Sequence, residues 1–383
     1  MKITRVACLA LGGRSPKGGW SNEIRPEDSI HALIAVETDA GITGVGSVFT
    51  DGRLARTGLD VLRPLLIGER ADEPARVAEK LHQNTFWMGR GGTLTHVISG
   101  VDIALWDIFG KATGQPLSRL LGGRYRSRVR AYASILMEEP GLMRERTAQF
   151  RAEGFRAIKI GWGPFGRRES AAGDAAIVRA AREGCGDDCQ LMVDAGASDA
   201  FWPNGLKWAI NTARMLADHD VAWFEEALHP DAMADFAELR RQSPVPIATG
   251  ECLTRRQSFL PWFEARALDI VQPDVTKVGG ISEQMEIART ANAFGIKYVG
   301  HGWNTAVGLA ADLHLAAAFP TADLVEYIGG SPYVDEIVQD GWALDADGML
   351  AIPEAPGLGL RLNPEALAGM SENAEALEML RRA

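Results

Sequence analysis

The sequence predicts an α/β protein: a (β/α)8-type barrel with an α+β capping domain built from the N-terminal region and the C-terminal segment. Three observations point there. Between about residues 128 and 328, eight short apolar stretches recur at intervals of about 20 to 35 residues, with amphipathic stretches in most gaps, as a parallel sheet closed inside a ring of helices requires. The first 125 residues instead show period-two runs followed by helical periodicity. With 383 residues, 46% of them hydrophobic, the chain can bury a barrel core and an accessory domain. The expected boundaries are 1–125 for the cap, 126–330 for the barrel and 331–383 for a segment returning to the cap.

Taken in order, residues 3–11 alternate as a strand. HALIAVETD (31–39) is a second, and GITGVGSVF (41–49) a third after a turn at Asp39-Ala40-Gly41, giving a small antiparallel sheet. Residues 53–67, 74–88 and 93–113 carry apolar side chains at spacings of three and four. In the last of these, Val97, Val101, Ala104, Leu105 and Ile108 form the stripe and Gly114 the C-cap. The barrel strands are RVRAYAS (128–134), AIKIG (157–161), LMVDA (191–195), AWFEE (222–226), PIATGE (246–251), DIVQPD (269–274), KYVGHG (297–302) and LVEYI (324–328). WALDADGMLAIP (342–353) predicts a hairpin turning at Asp347-Gly348, which leaves the barrel and packs back on the N-terminal domain.

Charge and cysteine content exclude several classes. With 50 acidic and 40 basic residues, net −10, the chain offers no footprint for nucleic acid and disfavours membrane surfaces. No run approaches the roughly 18 apolar residues of a membrane span, and MKITRVACLALGG alternates like a strand rather than a signal segment. Four cysteines (Cys8, Cys185, Cys189, Cys252) form no disulfide framework, so a reducing cytoplasm is expected. Cys185 and Cys189 lack nearby histidines and read as ordinary thiols.

In a barrel of this kind the chemistry lies at the C-terminal ends of the strands. Those tips carry Lys159, Asp194, Glu225 or Glu226, Glu251, Asp274, His301 and Glu326. Asp194, Glu225 and Glu251, on neighbouring strands, would repel one another without a counter-ion, and Mg²⁺ suits such oxygen ligands better than zinc does. Strand alternation lets only one of Glu225 and Glu226 reach the site without saying which, and Glu225 is taken as that one. Asp274 beside His301 fixes the imidazole tautomer and raises its basicity, leaving the other nitrogen to take or give a proton. Lys159 can stabilise developing negative charge, or act as a base if its pKa falls. The run Gly161-Trp162-Gly163-Pro164-Phe165-Gly166 mimics a dinucleotide loop, but Pro164 interrupts it and Arg167-Arg168 follow where a tightly packed helix should open.

The segments VISGVDIALWDIFGKATGQPLSRLLGG (97–123), VDAG (193–196), WFEE (223–226), TGE (249–251), QPDVTKVGG (272–280), GHG (300–302) and VEYIGGSPY (325–333) resemble the enolase superfamily and its mandelate racemase subgroup. The resemblance covers essentially the whole chain. It implies Asp194, Glu225 and Glu251 as Mg²⁺ ligands, Asp274 and His301 as the acid–base dyad, and Glu326 as the acid that hydrogen-bonds an enolate. Two positions depart from the pattern: Gly161 stands where the subgroup places a second lysine base, and Asp194-Ala195-Gly196-Ala197 replaces the usual Asp-x-Asn. Asp274 occupies the position of a lysine in proteins resembling muconate lactonizing enzyme, which disfavours cycloisomerase and dipeptide epimerase readings.

With one base remaining, the resemblance implies an acid-sugar dehydratase, converting an aldonate or aldarate to a 2-keto-3-deoxy sugar acid. A racemase or epimerase is the runner-up, and a noncatalytic barrel protein the third reading. Substrate contacts are expected from the loop GGRSPKGGWSNE (12–23), through Arg14, Lys17 and Trp20, from the region around Phe49-Thr50-Asp51, and from Trp303 as an apolar wall. The resemblance also implies a homo-oligomer acting on a small molecule.

Overall fold

The computed structural model describes residues 1–12, 30–168, 170–199, 201–328 and 330–383. Ile3–Leu11 (β1), His31–Thr38 (β2) and Thr43–Phe49 (β3) pair in that order as an antiparallel sheet. Both faces are apolar because both are covered. Val6, Cys8, Ile34 and Val36 pack toward the cap helices, whereas Ala7, Leu9, Leu33 and Ala35 join the core shared with the barrel. The cap helices are Gly52–Leu66 (α1), Pro74–Thr85 (α2) and Thr93–Thr113 (α3). Helix α1 starts at Asp51, whose carboxylate accepts the N–H groups of Arg53 and Leu54. Helix α3 ends at Gly114 with φ 65°. It lies so close to β3 that a Cβ on Gly46 would stand 1.8 Å from the Gly100 carbonyl oxygen.

Eight parallel strands follow: Arg128–Leu136 (β4), Ala157–Gly161 (β5), Gln190–Asp194 (β6), Val221–Glu225 (β7), Ile247–Thr249 (β8), Ile270–Val271 (β9), Lys297–Tyr298 (β10) and Leu324–Tyr327 (β11). β4 to β10 pair in chain order, and β11 pairs with β4, with Glu326 opposite Tyr132. Between the seventh and eighth tips, the Gly302 N–H donates to the Glu326 carboxylate at 2.8 Å. One residue from each stave fills the interior: Tyr132, Ala157, Met192, Trp223, Ala248, Ile270, Val299 and Leu324. Strands β8 to β10 are shorter than their apolar runs suggest. Gly250 turns at φ 132° and Pro273 has no N–H to give, yet the bonds from Val299 N to Val271 O (3.1 Å) and His301 N to Pro273 O (3.1 Å) keep the chain in register beyond them.

The expected C-terminal hairpin is different. Only Met349–Ala351 (β12) is a strand, and its partner is the start of β4, antiparallel, with Leu350 opposite Val129. Residues 128–130 have backbone groups to offer there, because β11 begins its ladder only at Arg130. The contact with the cap is made further on. Asn373 donates to the Cys8 carbonyl at 2.9 Å, Gly12 N–H donates to Met370 O at 2.9 Å, and the helix Ala374–Leu380 follows. Among the described residues, no helix is long and apolar enough to cross a membrane.

Candidate active site

β6 ends on Asp194, β7 on Glu225, and Glu251 lies two residues past β8. All three are buried, and each offers an oxygen within 4.8 Å of the others. Asp194 accepts the Gly196 N–H at 2.8 Å and the Trp162 indole N–H at 3.1 Å. Glu225 accepts Lys159 Nζ at 2.6 Å on one oxygen, and Trp223 Nε1 (2.8 Å) and Gln272 Nε2 (2.7 Å) on the other. Burial, then the Glu225 charge, pushes the Asp194 carboxyl well above its ordinary range. A divalent cation held among these oxygens would relieve that cost, and an all-carboxylate donor set suits a hard ion such as Mg²⁺.

Glu226 does not turn away as strand alternation predicts. The strand has ended, Glu226 takes φ 43°, and its buried carboxylate accepts Ser198 Oγ at 2.5 Å. With Glu251 and Cys252 it forms a second group of oxygen and sulfur atoms within 4.8 Å. The two glutamates therefore flank Glu251 together.

Across the mouth, His301 Nδ1 lies 2.7 Å from Asp274 Oδ2, and Nε2 lies 3.0 Å from Glu251 Oε2. Thr276 donates to the other Asp274 oxygen through its N–H (2.7 Å) and its hydroxyl (2.6 Å). Burial opposes the Asp274 charge, but the His301 bond, Lys277 and Thr276 hold the carboxyl below its usual range. Burial likewise opposes protonation of His301, yet the Glu251 and Glu326 charges lift it well above the ordinary histidine value. A cation on Glu251 offsets the first of these charges and frees the imidazole to act as a base.

Lys159 is wedged among acids, with Nζ 2.6 Å from Glu225, 3.0 Å from Glu326 and 3.8 Å from Asp194. Burial alone would depress its pKa. Glu225 and Glu326 more than compensate and hold it above its ordinary value. Lys159, Asp194, Glu251, His301 and Glu326 line a cavity of about 420 Å³, with Trp303 in its wall and Phe49, Arg90 and His96 entering from the cap. Arg14, Lys17 and Trp20 lie outside the described residues.

Among the lining residues that the strand tips do not include are Lys277 and Trp162, both close to the acids. Lys277 is buried, with Nζ 3.6 Å from Glu251, 3.8 Å from Asp274 and 4.4 Å from the centroid of the Phe49 ring. Its position three residues past Asp274, in a loop too short to carry it away, was the available clue. Trp162, which follows β5, is the other.

Residues 142–366 match the family described as enolase C-terminal domain-like, and residues 26–122 match the mandelate racemase / muconate lactonizing enzyme N-terminal domain. D-galactarolactone cycloisomerase of Agrobacterium fabrum is 33% identical over 96% of this chain and 98% of that protein. Arabinonate dehydratase of Saccharolobus solfataricus is 33% identical over 85% and 86%. The solved structure of 3,6-anhydro-D-galactonate cycloisomerase from Zobellia galactanivorans superposes with a TM-score of 0.87 at 27% identity, covering 97% of this chain and 100% of that one. Cycloisomerases thus stand beside dehydratases among the relatives. The cycloisomerase reading, disfavoured from the sequence, therefore stays beside the dehydratase one.

Proposed function

Because the chain belongs to the enolase superfamily and its mandelate racemase subgroup, as an acid-sugar dehydratase-like lyase, we propose that it removes water from an aldonate or aldarate to give a 2-keto-3-deoxy sugar acid. The observation that carries this reading is the imidazole at the seventh strand tip, paired with an acid and facing the carboxylate cluster. His301 is oriented by Asp274, its free nitrogen turned to Glu251, while the β5 tip ends in Gly161, where a second base would stand.

In this reading Asp194, Glu225 and Glu251 hold the metal. Bound Mg²⁺ supplies Lewis-acid stabilisation of the substrate carboxylate as its α-carbon loses a proton. His301 takes that proton on Nε2, and Asp274 steadies the imidazolium. The C–H electron pair becomes the C=C bond as the β C–O bond breaks, His301 returns its proton to the departing hydroxyl, and the enol left behind tautomerises to the ketone. The Lys159 ammonium, fixed by Glu225 and Glu326, faces the negative charge that develops on the carboxylate oxygens, a preorganised contact typically worth several kcal/mol.

A second reading is a cycloisomerase of a sugar lactone, favoured by the full-length similarity to D-galactarolactone cycloisomerase. The same proton removal would expel a β ring oxygen, and the product would keep every atom. Incubating the Mg²⁺-loaded protein with matched panels of sugar acids and lactones, then weighing the keto product, separates the two. Loss of one water supports the dehydratase, an isomer supports the cycloisomerase, and no keto product from either panel rejects both.

A further inference from the structure

β5 ends at Gly161, and Trp162 then takes φ 61°. That left-handed conformation is strained for a bulky residue and persists where the surroundings enforce it. Here the enforcement is visible. The indole N–H donates to Asp194 Oδ2 at 3.1 Å. The ring sits so close to Gly196 that a Cβ there would be 2.5 Å from Cδ2 and 2.8 Å from Cε2. A Cβ on Gly161 would stand 3.0 Å from the Asp194 Cβ and 3.3 Å from its Oδ2. The ring thus closes position 196 to a side chain, while Asp194 leaves little room for one at position 161.

β6 and β10 are the third and seventh of eight staves, so their tips lie opposite each other across the mouth. Trp162, lodged against the β6 tip, and His301, past the end of β10, line the same cavity from these two sides. We propose that Trp162 is the wall that shuts the substrate face opposite His301. Its ring packs on the C–H face of the acid sugar and cannot take or give a proton. It keeps water and any second base away, so that protons leave and reach carbon only from the side of His301. This assignment rests on the dehydratase reading and names the residue that fixes its stereochemistry.

The test is turnover in deuterium oxide with Mg²⁺, reading the C3 deuteron of the product by NMR. Wild type is expected to give one diastereomer. Trp162→Ala should give both, with KM raised about tenfold and kcat changed less. Trp162→Phe, which keeps the ring but loses the N–H donor to Asp194, should retain a single diastereomer. If the alanine variant does not fold, Trp162→Leu replaces it. A folded small variant with one diastereomer and an unchanged KM overturns the proposal, as does a wild-type product deuterated on both faces. If wild type turns over no acid sugar, the dehydratase reading fails on its own, and calorimetry of acid sugars on the Mg²⁺-loaded protein judges the wall. Binding about tenfold weaker in the small variant supports it, and unchanged binding overturns it.

Discussion

His301 and Asp274 are joined twice, by the 2.7 Å contact between Nδ1 and Oδ2 and by a parallel backbone bridge between the same two residues. The imidazole can therefore neither rotate nor exchange tautomers without breaking the side-chain bond, and the bridge holds the two backbones in register. Asp274→Asn keeps the shape but loses the charge that steadies the imidazolium. It is expected to lower kcat by about 10²- to 10⁴-fold with little change in KM. Steady-state kinetics on the substrate found by the panel checks this, and a loss confined to KM would contradict it.

Glu225 uses both oxygens on Lys159, Trp223 and Gln272. Glu225→Gln should weaken Mg²⁺ binding by at least about 10- to 100-fold, measured by calorimetry, and chelation should abolish activity that added Mg²⁺ restores. If Glu226→Gln loses the metal and Glu225→Gln keeps it, the ligand set is instead the one containing Glu226, Glu251 and Cys252.

Lys277 places a buried cation beside Glu251 and Asp274. Its replacement by methionine, similar in length and uncharged, should lower kcat/KM about 10²-fold. Unfolding measured alongside separates a catalytic loss from a structural one, and unchanged kcat/KM in a folded variant would remove Lys277 from the site.

His314 is buried where Ser118 N–H donates to its Nδ1 at 3.2 Å, so Nε2 carries the hydrogen and faces Leu358 O at 3.2 Å. Burial, above all, lowers its pKa from 6.5 to about 4. Between those values the unfolded chain binds a proton that the folded one refuses. Stability is then whole above pH 6.5 and falls as pH drops toward 4, by on the order of 3 kcal/mol from this residue. His31, His82 and His96 are lowered in the same direction. Urea denaturation at stepped pH should therefore show a steep acid limb that His314→Gln flattens by about one proton, and an unflattened limb would contradict the assignment.

The strand tips were legible because a parallel barrel places its chemistry there, so ionisable residues at the ends of seven of the eight apolar runs marked the site. What escaped lies where the backbone leaves the strand. Glu226 was assigned to the wrong side because alternation stops at Glu225 and φ 43° swings the next carboxylate back. Trp162 is invisible to periodicity, since nothing in the letters marks a tryptophan at positive φ. Gly161 read only as a missing base, whereas its packing shows a Cβ there in tight contact with Asp194. β12 was misplaced because its partner, the start of β4, is more than 200 residues away in sequence.

The most direct test follows the α-hydrogen of the acid sugar itself, by NMR in deuterium oxide with Mg²⁺, for wild type and His301→Asn. Wild type should exchange or eliminate that hydrogen and yield the keto acid, while the asparagine variant binds Mg²⁺ equally well and does neither. A variant that still exchanges at the wild-type rate would mean that another group removes the proton.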